Sequence, residues 1–418
     1  MATKITPYKI HIDQQRLQRL KDLLQLSDLP DEVDDVPPWQ RGTPLSEMQR
    51  LVMYWRDSFD WRAVEARLNL LPQQMVTVAV DGFGELDVHC VHQRSEHPDA
   101  IPLLFLHGWP GSFVEVTKIL PLLTRREGPG EEPVFHVVAP SLVNFGFSSG
   151  VTKSGFNSGE HAEAVHKLML TLGYNEYLVQ GGDVGYFVAR FLAHQYPESC
   201  KAHHVNMAVA NEPDAATHPD LTAKVKSTPL TDFEQRGLAR SATFLQEGMA
   251  YAILHATRPQ TIGYALKSSP RALLAWIYEK LHAWSDDYAW TDDEVLTWVS
   301  IYYFSTAGPH ASVRWYCDSV GSTAASDNDT AKRYVDVKLG ISRFPMEIAT
   351  TPTLWARTMG PVVLDRLHDR GGHFAAWECP EALVGDVRDM FRRRDAGDGN
   401  GGKSRRKWWE ELKNALPL

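Results

Sequence analysis

Cysteine is scarce. Cys90, Cys200, Cys317 and Cys379 are scattered over 418 residues with no C-x-x-C pair, which excludes a disulfide framework and a zinc knuckle and fits a reducing compartment. Long apolar runs are also missing. The opening stretch "MATKITPYKIHIDQQRLQRL" has no signal-peptide core, and no segment approaches the roughly 18 apolar residues needed to span a bilayer. The expectation is a cytoplasmic protein without a membrane span. Nor is there a basic excess: a net charge of −9 offers no field to attract a nucleic acid. Two cofactor patterns fail on spacing. "GGDVGY" lacks the G-x-G-x-x-G of a dinucleotide site, and His161 and His166 in "HAEAVH" are five apart, so they do not share a helix face as a zinc-binding H-E-x-x-H pair does. No metal or organic cofactor is expected.

What the chain does contain is an ordered alternation of elements. Residues 1–95 read as amphipathic helices ("IDQQRLQRLKDLLQ" and one helix in "SEMQRLVMYWRDSFDWRAVEARLN"), a Pro-rich acidic connector, and two strands paired about Asp81-Gly82. Across 96–210, short apolar runs alternate with helical stretches, the mark of a mostly parallel sheet with crossover helices; the strands expected are "IPLLFLHG", "FHVVAPSL", "YLVQGG" and "CKAHHVNMAV". Strand signals vanish over 211–332, where "TFLQEGMAYAILHATR" and its successors read as helices, and return over 333–394 in "VDVKLGISRF" and "PTLWARTMG". The pattern predicts a helical lid inserted into one sheet. Residues 395–418 read as a flexible "DAGDGNGG" linker and a basic-aromatic tail.

The stretch "VQGGDVGYFVAR" carries the sharpest chemistry. A strand, G-x-D-x-G and a helix form the layout of a nucleophile elbow, in which a strained turn lifts one side chain above the sheet edge; here that side chain is Asp183, flanked by Gly181, Gly182 and Gly185. Taken alone, its commoner explanation is a turn capped by an aspartate. Support comes from "LLFLHGWPGSF", a strand running into a loop whose backbone N–H groups can face the elbow. Trp109 and Val184 are the expected oxyanion donors. "RGGHFAAWECP" puts His373 on a glycine-rich loop after the last strand. Glu347 is the acid chosen to orient it, with Asp365 and Asp369 as competitors. An aspartate nucleophile, ionised at neutral pH, opens an sp³ electrophile without a base, and the histidine is left to activate water against the resulting ester. An epoxide and an alkyl halide are the electrophiles that fit.

"FDWRAVEARLN", "HGWPGSF", "GGDVG", "ATRPQTIGYALKSSPRALLAWIYEK" and "GGHFAAWE" occur in this order. In them the chain resembles the microsomal-type epoxide hydrolases, their soluble fungal members in particular, over about residues 5–393. The resemblance implies an α/β-hydrolase fold with an inserted helical lid and an N-terminal wrapping segment. It implies Asp183 as nucleophile, His373 as base, Glu347 as acid, and two lid tyrosines as proton donors, which map to Tyr251 and Tyr316, the latter with Tyr302 and Tyr303 nearby. Trp109 and Trp276 are the expected aromatic walls. The activity expected is hydrolysis of an epoxide to a vicinal diol, in detoxification or biosynthesis, with the epoxide and water as partners and a homodimer one option for assembly. The alternatives are an epoxide-opening cyclase, a haloalkane dehalogenase and a non-catalytic binding protein of this fold.

Overall fold

The computed structural model describes residues 4–26, 28–126, 132–319 and 327–392. The expected linker and tail at 395–418 therefore lie outside the described residues.

Nine strands form one sheet: β1 (Ile5–Pro7), β2 (Gln73–Val80), β3 (Gly84–Gln93), β4 (Ile101–Leu106), β5 (Phe135–Pro140), β6 (Tyr177–Gly181), β7 (Cys200–Val205), β8 (Lys338–Arg343) and β9 (Val362–Leu367), in the spatial order 1-2-3-5-4-6-7-8-9. The first three run antiparallel, and the six from β5 to β9 are mutually parallel. Composition explains the split. Every residue of β4 and β6 is buried, as in parallel strands covered by helices on both faces, whereas β2 mixes buried with partly buried and exposed positions. This is the α/β-hydrolase architecture.

The N-terminal segment contributes helices α1 (Gln14–Leu26), α2 (Leu45–Asp57) and α3 (Trp61–Leu68). The single helix expected over α2 and α3 is two, because the Asp60 side chain accepts from the Arg62 and Ala63 N–H groups and starts a new helix. Core helices α4 (Val116–Thr124), α5 (Ser158–Thr171) and α6 (Val184–Gln195) follow.

Between β7 and β8 stand α7 (Pro219–Ser227), α8 (Asp232–Thr243), α9 (Ala250–Thr257), α10 (Pro259–Ser268), α11 (Pro270–Ala283), α12 (Asp292–Tyr303), α13 (Arg314–Ser319) and α14 (Asp327–Lys332). A π-turn over Phe244–Gly248 interrupts the continuous helix expected from "TFLQEGMAYAILHATR". There a Cβ on Gly248 would lie 2.5 Å from the Phe244 ring. The N-terminal segment ties down this roof through Tyr54 to Asp293 at 3.0 Å, Tyr278 to Glu47 at 3.2 Å, and an Arg50–Asp292 ion pair.

The end of the sheet needs one correction. "PTLWARTMG" is not a strand but a loop with a 3₁₀ turn at Trp355–Thr358, and β9 is the next stretch, "VVLDRL". Pro352 accepts from the Trp355 and Ala356 N–H groups through its carbonyl, closing the turn that apolar spacing alone did not reveal. Two last helices, α15 (Ala375–Glu378) and α16 (Pro380–Phe391), close the fold.

Candidate active site

The elbow is a product of missing side chains. A Cβ on Gly181 would lie 2.4 Å from the Gly185 carbonyl oxygen, and one on Gly185 would lie 2.4 Å from that of Leu106, so β6, the turn and α6 pass one another only because both are glycine. Between them Asp183 takes φ 52°, in a region that costs a non-glycine residue free energy. Asp183 stands at the N-cap position of α6, yet its side chain makes no cap hydrogen bond. The capped-turn explanation therefore fails. The carboxylate is turned away from its own helix: Oδ1 accepts from the Trp109 N–H at 2.6 Å, and Oδ2 lies 3.5 Å from His373 Nε2.

The loop after β4 aims the Trp109 N–H. His107 is buried between Gly108 O, 3.0 Å from its Nδ1, and the Leu142 N–H, 3.2 Å from its Nε2. Burial lowers its pKa to about 4, so it is a neutral strut. Val184, as the first residue of α6, supplies a backbone N–H at the helix start, where no preceding turn engages it.

His373 sits on the loop after β9. Its Nδ1–H donates to Glu347 Oε1 at 2.8 Å, and that oxygen also accepts from the Ile348 N–H at 2.7 Å. The two loops are held side by side by the Met346 N–H donating to Gly371 O at 3.0 Å, while the His373 N–H reaches Trp284 O in the roof at 2.9 Å. Of the competing acids, Asp365 lies within β9 and forms an ion pair with Arg343 at 2.6 Å, and Asp369 is exposed. Burial works against a charge on His373, but Glu347 and Asp183 together outweigh it and hold its pKa well above the ordinary imidazole value.

Tyr251 (α9) and Tyr316 (α13) descend from the roof. Tyr251 stacks on Trp109 with ring centroids 4.9 Å apart, and Tyr316 meets Tyr251 edge-on at 5.8 Å. Burial first, and the Asp183 charge second, raise the pKa of Tyr251; Tyr316 is also raised, chiefly by burial, so both phenols keep their protons. Together with Asp183 they line a cavity of about 1010 Å³ whose other walls include Phe187, Met207 and Leu245. Trp109 is the expected wall only through its stack with Tyr251. Trp276 corrects the other expectation: it is not among the lining residues, and its indole N–H donates to His255 at 3.1 Å, one layer behind Tyr316.

Sequence reasoning missed a second compartment. A cavity of about 20 Å³, lined by Asp183, His373, Glu115, Gln180 and Asn206, shares Asp183 with the larger one. Burial raises the pKa of Glu115 to about 8. The polar residues in "LVQGG" and "HHVNM" were the available signal, since Gln180 lies in a buried strand and Asn206 follows one. His161 and His166 serve packing: His161 meets the Phe156 ring edge-on at 4.8 Å and His166 bonds Tyr177 at 2.9 Å. Among the described residues no cluster of three or more His, Cys, Asp or Glu could hold a metal, and no helix is long and apolar enough to cross a membrane.

Comparison with known proteins agrees with this geometry. The family model described as epoxide hydrolase N terminus matches residues 5–116, and that described as alpha/beta hydrolase fold matches 101–308. Epoxide hydrolase 1 of Sus scrofa is 31% identical over 93% of this chain and 88% of its own. The chain belongs to the epoxide hydrolase family. Juvenile hormone epoxide hydrolase 1 of Ctenocephalides felis is 32% identical over 92% of this chain and 84% of its own. The solved structure of the Aspergillus niger epoxide hydrolase superposes with a TM-score of 0.79 at 36% identity, covering 93% of this chain and 96% of that one.

Proposed function

We propose that this epoxide hydrolase opens its substrate by attack of Asp183 on an epoxide carbon, forming an ester that water then cleaves. The observation that carries this reading is the uncapped Asp183 carboxylate, held between the Trp109 N–H and His373. Tyr251 and Tyr316 donate to the epoxide oxygen as the C–O bond breaks; without them an alkoxide would form in a water-poor cavity at high cost.

Charge orders the two steps. In the free enzyme His373 lies between two carboxylates, whose joint effect keeps it protonated. Esterification neutralises Asp183 and removes one of those charges, so the imidazole pKa falls, His373 releases its proton to restore the phenol that protonated the epoxide oxygen, and the neutral imidazole can then take a proton from water. Water oxygen then bonds to Asp183 Cγ, the oxyanion gathers on the Trp109 and Val184 N–H groups, and the Cγ–O bond to the alkyl group breaks. The proton held by His373 passes to the departing oxygen, giving the diol, and the acid proton left on Asp183 moves to His373, restoring the carboxylate and the imidazolium of the free enzyme. On this reading residues 96–210 and 333–394 form the catalytic core, 211–332 its lid, and 1–95 the segment that fastens lid to core.

A single turnover in ¹⁸O-water, with enzyme in excess, tests this. The first diol should be unlabelled, with the label in the Asp183 carboxylate, whereas direct attack by water would label the diol at once.

A further inference from the structure

Asp183 is a wall between two compartments of unlike chemistry. The tyrosines line the larger cavity, and His373 lines the smaller. The smaller one, at about 20 Å³, has room for a single water, and a water held there needs several polar partners. His373, Asn206 and Glu115 are the side chains that converge on it. Asn206 is the most constrained of these. The Gln180 Nε2–H donates to Asn206 Oδ1 at 2.9 Å, which fixes the amide orientation and leaves Asn206 Nδ2 as the free donor end. That amide presses on the nucleophile turn, since a Cβ on Gly182 would lie 2.7 Å from it.

Asn206 also lines a second cavity of about 20 Å³, whose walls include Glu347, Ser342 and Thr351. Glu347 is 2% exposed, and its Oε2 has no hydrogen-bond partner. A buried carboxylate oxygen without a protein donor calls for a water. Two water-sized cavities, one beside His373 and one behind Glu347, thus share Asn206 as a lining residue; the first has only Asp183 in common with the cavity in which the alkyl group of the ester would sit, and the second adjoins that cavity at Ala349, Thr350 and Thr351.

We propose that Asn206, oriented by Gln180, positions the hydrolytic water beside His373 on the side of Asp183 opposite the substrate. Asn206 Nδ2 donates to the water oxygen while one water proton passes to His373 Nε2 and the oxygen bonds to Asp183 Cγ. The water enters the reaction without crossing the cavity filled by the alkyl chain, and the first step does not involve Asn206. This inference rests on the ester reading above.

The test is the split between the two steps, with styrene oxide as the probe. In Asn206→Leu, stopped-flow tryptophan fluorescence should report alkylation within about twofold of wild type. Ester hydrolysis should slow on the order of tenfold, the effect of removing one hydrogen bond to a reacting group. kcat and KM then fall together, kcat/KM is preserved, and the Asp183 adduct accumulates. Gln180→Met should show the same split more weakly. Ala376→Val fills the same cavity while keeping Asn206 in the chain and keeps the proposal testable if Asn206→Leu does not fold. A loss of kcat/KM equal to the loss of kcat, or no change in adduct lifetime in these variants, overturns the proposal. His373→Gln separates the two readings: an adduct there but none in the Asn206 variant defeats the water-positioning role alone, and an adduct in neither defeats the ester.

Discussion

Asp183 and His373 reach the site on tight loops that leave buried parallel strands, whereas Tyr251 and Tyr316 reach it on short helices whose neighbours Leu245 and Ile253 are exposed. The sheet half is overdetermined: each loop is held by glycine close approaches and backbone hydrogen bonds, and Asp183 keeps a strained φ because its surroundings leave no alternative. The roof half is held by ring contacts, with the Trp109–Tyr251 stack as the joint. A nucleophile and a base must hold their geometry to within a fraction of an ångström through two steps. Donors to a leaving oxygen can be carried by an element that also has to admit substrate and release product.

The largest effect should come from the sheet half. Asp183→Asn should reduce turnover on the order of 10⁴-fold or more, with no covalent adduct by mass spectrometry, because the nucleophile itself is lost. An adduct forming in that variant at the wild-type rate would remove Asp183 from the chemistry. Breaking the roof half should cost less. Tyr251→Phe/Tyr316→Phe should slow alkylation on the order of 10³-fold in single-turnover experiments, given that one donor to a developing oxyanion is worth about 10²-fold or more. The fold should survive, since both rings and the Trp109 stack remain. An unchanged alkylation rate would assign the leaving oxygen to other donors.

Glu347→Gln sharpens the comparison within the sheet half. The side chain receives the His373 Nδ1–H and does not face the substrate cavity, so alkylation should change little while ester hydrolysis slows on the order of 10²-fold. Equal loss in both steps would mean that Glu347 acts on the elbow as well as on His373.

How much of this was legible in the sequence follows the same division. The elbow could be read because sterics leave few residue types: glycine at 181 and 185 is required by contacts under 2.5 Å, and the same logic marks the Gly371-Gly372 pair before His373, where a Cβ on Gly372 would lie 2.5 Å from Trp284 O. Glu347 could be narrowed by chain order, but only the Met346 to Gly371 pairing brings its loop against that of His373, and Asp365 is excluded by Arg343, a partner 22 residues away. Tyr251 and Tyr316 were not legible from residue type at all, because phenols in helices also serve as core; the resemblance supplied them. Trp276 was misread for that reason: an indole at helical spacing says which face is buried, not what lies on the other side of His255. The water-sized cavity was invisible because it is a property of packing between β6, β7 and the loops, to which Gln180, Asn206 and Glu115 each bring one polar group from distant parts of the chain.

The smallest effect tests the buried polar side of that cavity through stability. Glu115 is partly buried, accepts the Ser112 N–H at 3.1 Å and lines the small cavity, where burial of its carboxyl raises its pKa to about 8, opposed by the positive charge of His373. A carboxyl whose folded pKa exceeds its unfolded value near 4.5 binds more protons when folded between those two limits. The stability it contributes is therefore fully present below about pH 4.5 and declines as pH rises toward 8. His373, also raised, adds a decline of the same sign above its ordinary imidazole value, and Glu378, raised by burial to about 7, adds one at intermediate pH. Glu115→Gln keeps a carbonyl to accept the Ser112 N–H and removes one titration. Thermal unfolding between pH 5 and 9 should then show a flatter loss of Tm than wild type, with the variant gaining relative stability toward pH 8, while a parallel pair of curves would mean that the Glu115 carboxyl stays ionised throughout and that the cavity is wetter than its burial implies.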